Sequence, residues 1–123
     1  MLVLLSLLQS QPNAADSSGQ YIVGGGVGAL KCTQFINAMA EARQLGGLTS
    51  IEGINRIYPW ASYVVGFETG YNFAMSGVRD IFAEFGSSPA NDVLYGVEPL
   101  CQKNPTWLFG QALVMFPETL RRK

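Results

Sequence analysis

The chain of 123 residues contains no histidine, only two cysteines and only 14% charged residues. Each shortage excludes a class of function. Without histidine, serine–histidine and cysteine–histidine nucleophilic systems are absent. The cysteines, Cys32 and Cys101, show no C-x-x-C spacing and have no imidazole to complete a zinc site. A formal net charge of −1 argues against nucleic acid, whose affinity comes largely from a basic surface that neutralises phosphates. Three of the eight basic residues, Arg121, Arg122 and Lys123, stand at the C-terminus as a solvated tail. No G-x-x-x-x-G-K-[ST] occurs, no alternating run is long enough for a sheet, and no apolar run is long enough to span a membrane.

What is present suits one domain. Hydrophobic residues make up 48% of the chain, enough for an adequate core. The start, MLVLLSLLQSQPNAAD, has an apolar run from Leu2 to Leu8 and small residues at Ala14 and Ala15, the pattern of a leader cut near Asp16. Its missing basic end fits a start codon placed downstream of the true one. Residues 1–15 are therefore expected to be a signal peptide, 16–28 a flexible glycine-rich lead-in, and 29–123 a single helical domain. In an oxidising compartment the two cysteines read as one disulfide, worth about 4 kcal/mol on the chain-entropy picture. In a reducing one they read as small core residues. Export favours the bridge.

Spacing predicts a helix over about 29–44, with Leu30, Phe35, Met39 and Ala42 on one stripe, Cys32 and Ile36 beside them, and Gly46-Gly47 at its end. A connector over 48–58 follows. Ser50 can cap a short turn there, while Gly53 and Pro59 are expected to prevent one long helix. Pro59 suits the first position of a second helix running to about Ser76. An irregular stretch over 77–88 should tuck Ile81, Phe82 and Phe85 under the body. Ser88-Pro89 reads as the start of a third helix carrying Val93, Leu94, Val97, Leu100 and Cys101, with Pro99 inside it. Asn104-Pro105 reads as the start of a last helix with Trp107, Leu108, Ala112, Met115 and Phe116.

WASYVVGFETGYN, residues 60–72, places two glycines four apart in a helix, each costing about 1 kcal/mol relative to alanine. Gly66 and Gly70 lie one turn apart, with Tyr63 just before them, so they predict a groove into which the Cys32 or the Cys101 helix packs closely.

Candidate chemistry is sparse. Gly24, Gly26 and Ala29 satisfy G-x-G-x-x-G/A, but the chain lacks the parallel strands of a dinucleotide fold. Glu68 sits in apolar surroundings that would raise its pKa, yet an ordinary bond to a neighbour is the favoured reading. Asp80 and Glu84 read as a solvated loop. Trp60 and Trp107 read as core or groove-lining aromatics. An enzyme built on Glu68 or Asp80 is the least favoured function, and no cofactor or metal is called for.

Cys32, then Trp60-x-x-Tyr63-x-x-Gly66-Phe67-x-x-Gly70-Tyr71-Asn72, then Cys101-x-x-Asn104-Pro105 with Leu108 and Ala112 beyond, resembles the HdeA-like group of small exported bacterial helical proteins. A related pattern recurs in the Rap/Tai-type immunity proteins of type VI secretion. The resemblance covers about residues 29–116. It implies an all-α, four-helix-type bundle, periplasmic or secreted, tied by a Cys32–Cys101 disulfide, with no catalytic residues and a homodimeric resting form. Its implied partner is another protein: an unfolding client held on apolar surface loosened in acid, or alternatively one secreted toxin. Phe35, Ile36, Trp60, Phe67, Trp107 and Phe116 are the apolar residues expected to bind it. In acid the nine carboxylates would lose their charge and leave the eight basic residues, favouring expansion.

Overall fold

In the computed structural model, which describes residues 15–86 and 89–121, the chain is a bundle of four α-helices. They are α1 (Cys32–Gln44), α2 (Ile51–Ala74), α3 (Ala90–Lys103) and α4 (Phe109–Arg121), with short 3-10 turns at Gly26–Ala29 and Ala83–Phe85. The expected leader falls almost wholly outside the described residues, as does Ser88. No described helix is long and apolar enough to cross a membrane.

The core forms where the sequence periodicity places it. Phe35, Met39 and Ala42 of α1 and Val93, Leu94, Val97 and Cys101 of α3 are buried. A first aromatic cluster joins Phe35, Trp60 and Phe109, with ring centroids 4.6–5.3 Å apart. Cys32 and Cys101 form the disulfide, tying the first turn of α1 to the last turn of α3. The same two helices are linked again by Arg43 and Glu98, a two-pronged ion pair in which Arg43 Nη1 donates to Glu98 Oε2 at 2.7 Å. Glu98 is only 6% exposed, and this pairing is what makes its burial tolerable. The bond with Glu98 also pushes the Arg43 guanidinium further toward its charged form.

Two helix starts differ from expectation for one shared reason. Leu30 and Lys31 are extended and lie antiparallel to Trp107 and Leu108. Cys32 N–H donates to Trp107 C=O at 2.7 Å, and Phe109 N–H donates to Leu30 C=O at 2.8 Å. This small bridge delays α1 to Cys32 and α4 to Phe109. At each start a glutamine three residues on reaches back: Gln34 Oε1 accepts from Lys31 N–H, and Gln111 Oε1 accepts from Leu108 N–H, satisfying donors that a helix end leaves open. Asn104 therefore ends α3, its side chain donating to Leu100 C=O, rather than opening α4. Pro89 precedes α3 in place of standing at its first position.

From Ile51 on, the connector expected over 48–58 is instead the start of α2, which runs unbroken through Gly53 and Pro59. Ser50 caps it by accepting Gly53 N–H at 3.0 Å. Gly53 is there for contact, since a Cβ at that position would stand 1.8 Å from the Gly47 carbonyl oxygen. Pro59 lies on the exposed side, where a backbone carbonyl left without its helical partner is open to solvent rather than stranded in the core.

The close-packing glycines are also not the expected ones. Gly66 and Gly70 are exposed, and nothing lies within 4 Å of a Cβ built on either. No helix of the bundle occupies a groove there. Tyr63 instead packs on Gly28, where an added Cβ would fall 2.1 Å from its ring, and its hydroxyl reaches Gly110. Gly28 is buried, so the end of the glycine-rich lead-in belongs to the folded body.

Candidate functional site

The C-terminal half of α2 and the segment after it build a second cluster. Phe82 is fully buried and meets Phe67 (6.2 Å between ring centroids), Phe85 (6.2 Å) and Phe116 (6.1 Å). Phe85 stacks on Phe116 in turn. The 77–86 segment thus lies over an aromatic patch, as its Ile81, Phe82 and Phe85 predicted.

Polar groups fasten that segment to α2. Asn72 accepts Ile81 N–H at 2.8 Å and donates to Asp80 Oδ1 at 3.2 Å, and Asp80 Oδ1 also accepts Phe82 N–H at 3.1 Å. Glu68, one helical turn before Asn72, brings its carboxyl against Asp80. Desolvation first, then the hydrogen bond to Asp80 and its negative charge, raise the Glu68 pKa to about 7. The bond from Glu68, then the Phe82 N–H and Asn72, hold Asp80 below the ordinary carboxylate range. Of the two carboxyls Glu68 is thus the one that takes up a proton first as pH falls, and in that form it donates to the Asp80 carboxylate. Asp80 is not the solvated loop residue expected, whereas Glu84 is exposed.

This pair lies where the 77–86 segment is fastened to α2. Beside Asp80 lies an open depression lined by Gly77, Val78, Arg79, Asp80, Ile81 and Ala83, and its carboxylate is engaged by the Phe82 N–H and Asn72. Among the described residues no group of three or more metal-binding side chains converges. The segment 24–29, which matched the dinucleotide pattern, forms a 3-10 turn with no sheet behind it.

The six apolar residues expected to bind protein do not share one surface. Phe35, Trp60 and Phe116 are buried, and Ile36, Phe67 and Trp107 are half-buried against the core. Four of them divide between the two aromatic clusters: Phe35 meets Trp60 at 5.3 Å, while Phe67 and Phe116 both meet Phe82. The Glu68–Asp80 pairing was missed because twelve positions and a turn separate the two. The signal available was Asn72 ending a helix ahead of Asp80, two side chains prone to bond backbone in turns.

No family model, no curated protein and no solved structure matches this chain.

Proposed function

We propose that this chain is a non-catalytic exported protein-binding domain of the HdeA-like periplasmic stress-chaperone type, which holds unfolding clients on aromatic surface uncovered in acid. The observation that supports it is the fastening of the 77–86 segment by carboxyl groups, which holds its Phe82 and Phe85 against Phe67 and Phe116. The disulfide favours the oxidising compartment this role needs.

The sign of each titration sets the working range. The Asp80 pKa is lowered in the fold, so its contribution is present above its ordinary value and lost as pH falls through the lowered one. Glu41, held down by its bond to Arg56 between α1 and α2, behaves the same way. Glu68 is raised to about 7 from 4.5, so its contribution is complete below 4.5 and lost as pH rises through about 7. Release of the segment therefore belongs to strong acid, below the ordinary aspartate range, and not to the mildly acidic region.

The test is apolar-dye binding and suppression of client aggregation by the oxidised protein, titrated from about pH 7 to about pH 2. Reversible dye binding with holdase activity only in strong acid is the expected result. A protein that stays closed and inert throughout refutes the role. The second reading, an immunity-type protein, is favoured by one observation: in the folded state α2 already exposes Ile51, Tyr58, Val65 and Phe73. It requires a single tight partner at neutral pH.

A further inference from the structure

Ahead of α1 the chain forms a strap that crosses two helices. Tyr21 and Val23 reach the body while Ile22, between them, is 95% exposed, the alternation of an extended segment. Val23 is seated on α4 where Gly110 leaves room, since a Cβ there would stand 2.6 Å from Val23 Cγ1. Tyr21 comes close to Tyr63 on α2, and burial first, then Tyr21, push the Tyr63 pKa up. Gly110 is buried, and the Tyr63 and Phe109 rings beside it are 5.9 Å apart. Gly110 thus floors an apolar seat that Tyr63 walls.

Side chains alone hold the strap in that seat. Among the described residues, the backbone of residues 21–24 makes no hydrogen bond. On one side Asp16 closes a turn of its own, its carboxylate accepting Ser18 N–H at 2.9 Å and Gln20 N–H at 2.8 Å. On the other side Gly24, Gly25 and Gly26 are exposed, with open space where each Cβ would be, which makes a freely turning hinge.

We propose that Gly110 and Tyr63 form a binding site for an extended, uncharged apolar peptide segment of another chain, closed in the free protein by residues 20–25. The strap itself shows what the seat accepts: Tyr-Ile-Val followed by glycines, without charge, with alternate side chains turned inward. Pockets for alternate side chains are how extended peptides are selected. Without main-chain bonds the strap can exchange. Being tethered, it competes at an effective concentration of about 1 mM or more. The site needs neither acid nor release of the 77–86 segment.

The test is heteronuclear NMR of the oxidised protein at neutral pH, titrated with a capped synthetic peptide of residues 20–25. In the variant Tyr21→Ser with Val23→Ser, which empties the seat, the peptide should shift the Gly110 amide at about tenfold lower concentration than in the wild type. The unaltered protein should show the same shift at peptide concentrations on the order of 10 mM, where the peptide overcomes the tether. Adding Gly110→Ala to the variant should abolish binding, because the methyl group takes the place of the valine side chain. A peptide with serine in place of both its tyrosine and its valine should not bind. A Gly110 amide that moves in neither protein overturns the proposal. So does equal binding by the variant and the wild type, binding of the serine peptide, or shifts centred on the exposed face of α2 instead.

Discussion

Removing the disulfide should cost this protein a large share of its stability. Cys32 and Cys101 are 69 positions apart, and for a loop of that length the chain-entropy relation gives about 4.4 kcal/mol at 25 °C. Small domains have only about 5–15 kcal/mol in all. At the usual unfolding entropy per residue, the loss lowers the melting temperature by about 15–20 °C. Both sulfurs are fully buried, so the clean perturbation is Cys32→Ala with Cys101→Ala, which leaves no polar atom stranded in the core. The Arg43–Glu98 pair still joins α1 to α3 in that variant, so a native-like circular dichroism spectrum at low temperature is expected. Thermal melts of the variant, and of the wild type with and without reductant, measure the effect. A drop below about 5 °C with native structure retained would refute the view that the bond acts by restricting the unfolded chain.

Within α2, the same substitution should have opposite signs at two glycines. Gly66→Ala, in open space, should stabilise by about 0.5–1 kcal/mol, whereas Gly53→Ala, aimed at the Gly47 carbonyl, should destabilise by about 1–3 kcal/mol; chemical denaturation at low protein concentration compares them. Asp80→Asn removes the charged acceptor that keeps the proton on Glu68, so the Glu68 pKa should fall from about 7 toward 4.5, read by carbonyl NMR. An unmoved Glu68 would mean that desolvation alone sets its titration. Because Glu68 binds a proton more readily in the fold and Asp80 and Glu41 less readily, stability should peak near pH 4.5 and decline on both sides. Melting temperatures across the pH range check this, and a maximum above neutrality would contradict it.

The helical class and most of the core are legible in the sequence because they depend on periodicity alone: Phe35, Met39 and Ala42 recur as a buried stripe should, and so do Val93, Val97 and Cys101. The errors arise where a residue's local meaning is decided by what stands opposite it. Gly53 and Pro59 read as helix breakers, yet one meets the Gly47 carbonyl and the other faces water, so α2 continues through both. Gly66 and Gly70 have the spacing of a packing groove. Spacing identifies a face, however, and not whether the face turns inward. Asn104-Pro105 is a good local signal for a helix start ahead of α4. The backbone bridge between Lys31 and Leu108 overrides it, and its only sequence trace is a glutamine three residues into each helix.

The disulfide and the carboxyl fastening act on different halves of the molecule, and this decides what acid can uncover. Phe35 follows Cys32 by one turn, Trp107 is bonded through its carbonyl to Cys32 N–H, and Trp60 and Phe109 pack on Phe35. That cluster sits at the cross-link. Phe67 and Phe116 sit under the segment that Asp80 and Asn72 secure, packed against its Phe82 and Phe85. Regions with weaker fastening open before the rest of a structure does. Protonation of Asp80 should therefore release the second cluster while the first stays packed, provided that the disulfide is intact. Both tryptophans, Trp60 and Trp107, lie in the cross-linked half. Their fluorescence should consequently remain native at the pH where apolar dye first binds, and change only further into acid. A simultaneous change in both signals would mean that the bundle opens as one unit, and the carboxyl fastening would then have no separate role.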